Sequence, residues 1–374
     1  MNLRTLGCCL FTCIFAACAT TAPAPTSNAD AAMVKELGAR TVIATLLSRA
    51  QKELTKQPKR AGQTLERAWK LSTQLIDDRI VRAAVSALPA EHAPPTLVRV
   101  AKVAKAQDAF ADNAIKEVHR HLSSSHTSHD LTEARRLLLL GLVEIGSNPE
   151  AAKISLTHVA NGGLTSPSGQ ELQNLARTTV ASIEFEQEKL AAAIKNYLRV
   201  SEESAYWPTA RTAISWAQFQ LRKYDRAIAG LKLLPEGLAT SPDRVLLAAV
   251  CFHHLGNLPG ARHIIALAKT HRKAWIETDV TAQQVLTAIG EEVSPFGLVS
   301  GVAWDPPLRL LGREINAVDK ALQGASGEHK AALNLYRGKA WDKFESMVNR
   351  KAKGAKEAAT IAYEKLTVLE PQLK

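Results

Sequence analysis

The sequence predicts an all-α fold: an α-solenoid of paired antiparallel helices closed by a helical carboxy-terminal cap. Three observations predict it. Small residues recur at two places with a step of 34 residues within the stretch 175–269. Elsewhere, apolar residues follow the three-and-four spacing of amphipathic helices. The 374-residue chain is rich in Ala, Leu, Lys and Glu, and it holds no convincing run of alternating β-branched residues.

The periodic stretch sets the register. Ala181, Ser215 and Ala249 form one small series, and Ala193, Ala227 and Ala261 form the second. Larger residues keep the step: Leu190, Tyr224 and Leu258; Tyr197, Leu231 and Ile265; Phe185, Phe219 and His253. A period of this length with small residues at two fixed places resembles the tetratricopeptide repeat. Each such repeat is a helical hairpin, and the small residues sit where the two axes come closest. A bulky side chain there pushes the helices apart. The chain departs from the full pattern in two ways. The glycine usual between the helices survives only as Gly256, and Glu184, Gln218 and Phe252 stand where a tyrosine is usual.

Residues 1–17 carry one charge, Arg4, followed by an apolar run through Leu10, Phe11, Ile14 and Phe15. The run is short for a membrane span and has the length of a secretory signal. Its end, Phe15-Ala16-Ala17-Cys18, resembles the bacterial lipobox, with Phe15 where Leu is usual. That resemblance implies a lipid on Cys18; a plain secretory signal cut nearby is the alternative. Ala19 in place of an aspartate implies the outer membrane, with the chain facing the periplasm. Residues 18–30 are small, polar and proline-bearing, which makes a flexible tether.

Residues 31–170 read as degenerate helical repeats. Pro58, Pro89 and Pro94-Pro95 mark breaks. Helices are expected over 96–122 and 130–146, and residues 131–160 form a degenerate pair with Gly141 at the small position. Residues 161–163 and 166–169 read as a loop before the regular repeats at 171–290. The last helix of those repeats is expected to continue through Trp275 to Gly290. Residues 291–374 make the helical cap: irregular over 294–307, a helix over 308–323, then one or two helices from 328 onward. Breaks are expected at 324–327 and at Lys353-Gly354.

The formal charge of +11 is uneven, since residues 33–106 hold 14 Lys plus Arg against 6 Asp plus Glu. Behind an envelope leader this basic third faces anionic lipid, glycan or an acidic partner, and nucleic acid is not expected. A solvated helix face accounts for it equally well. Cys8, Cys9, Cys13 and Cys18 all lie in the leader, so no disulfide framework follows, and Cys251 reads as a small buried hydrophobe. His119, His121, His126 and His129 crowd one stretch. Their spacing matches no metal motif, and a polar helix end running into a loop is the expectation. No phosphate loop, HExxH, CxxC or GxSxG is present. The expectation is a non-catalytic binding protein with no metal or cofactor.

Residues 175–275 also resemble the tetratricopeptide lipoproteins of the bacterial Glt-type gliding-motility envelope machinery. The residues that carry this are Tyr206-Trp207-Pro208, Trp216-Ala217, Tyr224-Asp225-Arg226-Ala227 and Val245-Leu246-Leu247-Ala248. The resemblance implies a lipoprotein scaffold that binds protein partners in an envelope-spanning complex. A regulatory or docking lipoprotein for cell-wall synthesis or outer-membrane assembly is the alternative, and a glycan-acting enzyme is the third.

In such an array the first helices line a concave side that takes peptides or helices. Counting from the small residues, the expected groove holds Ser182, Trp216 and Val250. One turn later come Phe185, Phe219 and His253, with Glu186, Gln220 and His254 beside them. One turn earlier lie Thr178, Thr212 and Leu246. The competing expectations are that Phe185 and Phe219 belong to the core, or that the carboxy-terminal tail fills the groove.

Overall fold

The computed structural model describes residues 38–75, 77–123, 130–234, 241–290 and 297–373. The expected leader, Cys18 and the tether lie outside the described residues, as do His126 and His129. Among the described residues there are seventeen α-helices and no strand. The chain forms two compact units. One takes the described residues up to 176 together with Arg313–Asp342; the other takes Arg177–Gly312 and residues 343–373.

The first unit holds α1 (Ala39–Glu53), α2 (Pro58–Leu71), α3 (Arg79–Ser86), α4 (Pro95–Ala111), α5 (Ile115–Leu122), α6 (Leu131–Glu144) and α7 (Pro149–Ala160). Helix α8 (Pro167–Glu186) passes from it into the second unit, which continues with α9 (Leu190–Tyr197), α10 (Trp207–Gln220), α11 (Tyr224–Lys232), α12 (Pro242–His254) and α13 (Leu258–Ile276). Then come α14 (Ala282–Gly290) and α15 (Leu298–Ala303), and finally α16 (Pro306–Gly324) and α17 (Gly327–Leu369), which contribute to both units. Proline opens α2, α4, α7, α8, α12 and α16. At a first helical position its missing N–H is one that no carbonyl would have met, so proline starts these helices rather than breaking them.

Consecutive helices pack as antiparallel pairs, and the turn between them repeats. Helices α8, α10 and α12 end at Glu186, Gln220 and His254, and their partners begin at Leu190, Tyr224 and Leu258. Both boundaries keep the step of 34 residues. Within each turn one residue is left-handed: Glu188 (φ 61°), Arg222 (φ 58°) and Gly256 (φ 70°). The next residue's N–H reaches back to a carbonyl five residues earlier: Lys189 to Glu184 at 2.9 Å, Lys223 to Gln218 at 2.9 Å, Asn257 to Phe252 at 3.0 Å. This is the Schellman termination, which satisfies carbonyls that a helix end leaves orphaned.

A fourth hairpin has the same turn. Helix α4 ends at Ala111 and α5 begins at Ile115; Asn113 is left-handed (φ 59°), and the Ala114 N–H meets the Ala109 carbonyl at 2.7 Å. Ala106, Phe110, Val118 and Leu122 therefore take the places of Ala181, Phe185, Ala193 and Tyr197. Helix was expected over 96–122, and the turn divides that stretch into α4 and α5. Its Asn113 lies 75 residues before Glu188, which is not a multiple of 34, so a search for the period passes over it.

The hairpins α1–α2 and α6–α7 use a turn one residue longer, in which the Gln57 and Asn148 N–H groups each donate to the last carbonyl of the first helix at 2.7 Å. Gly141 lies at the close approach of α6 and α7, where an added Cβ would fall 2.6 Å from Leu156 Cγ. In all six hairpins the fourth residue of the second helix is fully buried: Ala61, Val118, Ala152, Ala193, Ala227 and Ala261.

Four expected boundaries are corrected. The stretch expected to be irregular up to 307 holds α15 at Leu298–Ala303, and α16 starts at Pro306. Residues 166–169 are not a loop: α8 starts at Pro167, and the Ser166 hydroxyl accepts the Gly169 N–H at 3.1 Å. No single helix runs to Gly290. After α13 ends at Ile276, Thr281 and Gln284 exchange side-chain-to-backbone bonds at 3.3 and 2.9 Å, a capping box that starts α14 afresh. Lys353-Gly354 is no break either, because α17 runs through it; Gly354 is exposed with nothing within 4 Å of a would-be Cβ, so it costs only glycine's intrinsic helix penalty. Nor does the tail serve only the last hairpin. In the first unit, His329 meets Thr45 Oγ1 at 3.0 Å and Lys339 Nζ donates to Gln51 at 3.0 Å, both on α1. In the second unit, the Leu373 carbonyl accepts Arg262 Nε at 3.1 Å, and Lys269 pairs with Glu370 at 2.6 Å, both on α13.

The first unit also buries a charged network. Asp78 is fully buried and accepts Arg82 Nε at 2.9 Å and Arg135 Nη2 at 2.7 Å. Arg135 lies 5.5 Å over the Trp69 ring, and Arg82 donates to Gln107. One carboxylate thus joins α3 to α6, and its two arginines extend the link to α2 and α4. Replacing Asp78 with Ala leaves two buried guanidiniums without their counter-charge, and urea unfolding should show a loss of about 3–5 kcal/mol. Arg222→Gly should raise stability by about 0.5–1 kcal/mol, since glycine takes the left-handed turn without a Cβ penalty. Gly256→Ala should lose about 1 kcal/mol by the same logic reversed. Gly141→Ala should lose about 1–3 kcal/mol, because there the Cβ meets Leu156.

Candidate functional site

The turn register fixes where side chains emerge near the ends of the paired helices in the second unit. Phe219 is the penultimate residue of α10, Tyr224 opens α11, and His254 closes α12. Their rings form a continuous cluster. Tyr224 and His254 stack at 4.7 Å with planes 8° apart. Phe219 lies 5.6 Å from Tyr224 and 5.8 Å from His254. Trp216, one turn back on α10, meets Phe219 edge-on at 5.9 Å, and His253 adjoins His254 at 5.8 Å. His254 is exposed and the other four rings are half-buried. Leu221 and Leu255, the residues that follow α10 and α12, are also exposed.

The twelve expected groove residues divide between this surface and the interior. Trp216, Phe219, His253 and His254 belong to the cluster. Phe185, Gln220 and Val250 are half-buried, and Glu186 is exposed. Loss of water raises the Glu186 carboxyl above the ordinary carboxylate range. Thr178, Ser182 and Leu246 are buried and offer a partner no surface. Thr212 is committed between consecutive pairs: its hydroxyl donates to the Pro208 carbonyl at 2.9 Å and accepts Arg244 Nε at 3.3 Å.

Ser182 shows why simple counting placed some positions wrongly. Its Oγ donates to the Thr178 carbonyl at 3.0 Å, so the Tyr197 hydroxyl, 2.9 Å away, is the donor to Ser182. Burial raises the Tyr197 hydroxyl well above its usual range, partly offset by the bond to Ser182. At this position α8 faces its own partner α9, whereas Trp216, the equivalent residue 34 positions later, has a side chain too large for that place and is half-buried instead.

Tyr224 was missing from the expected surface. Its signal was in the sequence: it stands in the series Leu190, Tyr224 and Leu258, at the first residue of each second helix, and is the one ring among them. What the cluster can do is set by what it lacks as well as what it holds. It presents aromatic faces, two imidazoles and a phenol. The nearby Cys251 is fully buried, and burial pushes its thiol up to about 12, which keeps it protonated and unreactive at neutral pH. These half-buried rings, anchored on helices, leave aromatic area exposed with little side-chain freedom left to lose.

The division between interior and surface is testable. Ser182→Ala should lose about 1–2 kcal/mol in a urea melt, because the buried Tyr197 hydroxyl is left without an acceptor. Adding Tyr197→Phe should recover most of that loss, since both polar partners are then gone. Equal stability of the single and wild-type chains would place Ser182 at the surface.

Compared with known proteins, the sequence matches no protein-family model, and no characterised protein matches it significantly.

Proposed function

We propose that this chain is a scaffold of tetratricopeptide-type hairpins without catalytic chemistry. It is tethered by a lipid on Cys18 to the periplasmic side of the outer membrane, and it binds protein partners in an envelope-spanning assembly. The observation that carries the reading is the ring cluster of Trp216, Phe219, Tyr224 and His254. Its rings come from three successive helices, α10, α11 and α12, so the surface is built on helix ends rather than on one loop. Aromatic anchors supply most of the affinity in typical protein interfaces, and these are held by helix packing before any partner arrives. The likeness of residues 175–275 to gliding-motility lipoproteins makes a motility machine the first assembly to test. Assemblies for cell-wall synthesis or outer-membrane insertion come next.

Pulldown from envelope extracts with the full chain, compared with Trp216→Ala, tests the binding surface. The variant should bind its partner about 2 kcal/mol more weakly, as hot-spot aromatics do. Its melting should stay close to wild type, since a half-buried ring leaves no closed cavity. Unchanged capture with an intact fold would remove Trp216 from the interface. Release of soluble fragments from purified peptidoglycan would contradict the non-catalytic reading. Cys18→Ser should abolish palmitate incorporation and free the chain from the outer-membrane fraction; continued labelling would rule out lipid attachment at that residue.

A further inference from the structure

The ring cluster lies at the second and third of three turns that repeat every 34 residues, and these two differ from the first in charge. The turn between α8 and α9 holds Glu186, Glu188 and Lys189, and is acidic. The turn between α10 and α11 holds Arg222 and Lys223, while Asp225 and Arg226 cancel just beyond them. The turn between α12 and α13, residues 253–258, has two histidines and no carboxylate. Arg222 and Lys223 are exposed, and neither side chain has a carboxylate partner among the described residues. The backbone fixes their place. Arg222 is the left-handed residue, and the Lys223 N–H is held by the Gln218 carbonyl at 2.9 Å. Both stand on the short link between Phe219 and Tyr224, whose rings are 5.6 Å apart.

Apolar area extends the rings on the same two turns. Leu221 and Leu255 are the first residues beyond α10 and α12, and they remain 36% and 48% exposed. The equivalent place after α8 is Gln187, so this apolar edge begins at the second pair. Binding a bilayer means sinking an apolar face about 5–10 Å into it. Four of the five rings are half-buried against one another and their helices, so they present too shallow an edge for that. What they offer is contact area for another chain.

We infer, resting on the scaffold reading, that the partner segment held by this surface is acidic: one or two aliphatic or aromatic side chains lie against the rings, and carboxylates lie toward Arg222 and Lys223. The rings supply the anchoring area. The two unpaired cations at their edge select the sign, because they draw in a carboxylate-bearing segment and repel a basic one.

The test selects a random-sequence peptide library, displayed on phage, on the immobilised full chain carrying Cys18→Ser. Recovered peptides are synthesised and titrated by fluorescence anisotropy. They should be rich in Asp and Glu beside aliphatic or aromatic residues. Tyr224→Leu installs the residue that Leu190 and Leu258 supply at the same place in the other pairs, so the fold persists. It should weaken the peptides roughly thirtyfold, as loss of an anchor ring does. Arg222→Gly suits the left-handed turn; combined with Lys223→Gln it should weaken them about fivefold, and added salt should weaken wild type more than this double variant. Urea melts of both variants check that each is folded. Three results would overturn the inference. Ring-dependent peptides that are neutral or basic leave the scaffold reading standing and remove the acidic partner. Recovery of no peptide that depends on Tyr224 removes it too, and the envelope pulldown with Trp216→Ala then shows whether the scaffold reading falls with it. Retention on phosphatidylglycerol vesicles in place of peptide capture, lost with Tyr224→Leu, makes an anionic bilayer the occupant.

Discussion

One backbone conformation organises four of the six hairpins, α4–α5, α8–α9, α10–α11 and α12–α13: a left-handed residue in the turn between paired helices. At Asn113, Glu188, Arg222 and Gly256 it turns the chain while the following N–H satisfies a carbonyl of the helix just ended. Only one of the four is glycine. A left-handed non-glycine residue is strained by about 1–2 kcal/mol, so the other three persist because packing on both sides of the turn over-determines them. That packing is visible in the fully buried fourth residue of each second helix. The turn fixes the separation between that residue and the small position on the first helix, and the two helices can then approach closely.

The same constraint produces the ring surface. With the helix ends held in register, residues just before the turn of one pair and at the end of the next come near each other. Tyr224 and His254 stack because α11 begins and α12 ends at fixed steps from the same turn geometry. The proposed binding role is therefore a by-product of the packing rule, and it needs no dedicated loop.

How much of this was legible in the sequence follows from what sets each feature. The three regular pairs were readable because close approach demands small residues, and Ala181, Ser215, Ala249 and their partners announce it. The α4–α5 pair was not, because Val118 fills the small position and Asn113 sits out of step with the period. Gly354 suggested a break that α17 ignores, since an exposed glycine only weakens a helix. The ring cluster was half legible. Position counting found Trp216, Phe219 and the two histidines, yet it placed Ser182 at the surface, because rotation about a helix axis depends on which neighbour the side chain meets. Tyr197 decides that for Ser182. The buried pairing of Asp78 with Arg135 was invisible, because it joins residues 57 apart through the fold alone.

The measurement that bears most directly on the account is amide hydrogen exchange at the turns. The N–H groups of Ala114, Lys189, Lys223 and Asn257 are each bonded to a carbonyl five residues earlier. They should exchange slowly as a matched set, more slowly than residues in the same turns that lack that bond. Rapid, loop-like exchange at all four would contradict the repeated turn and the register built on it.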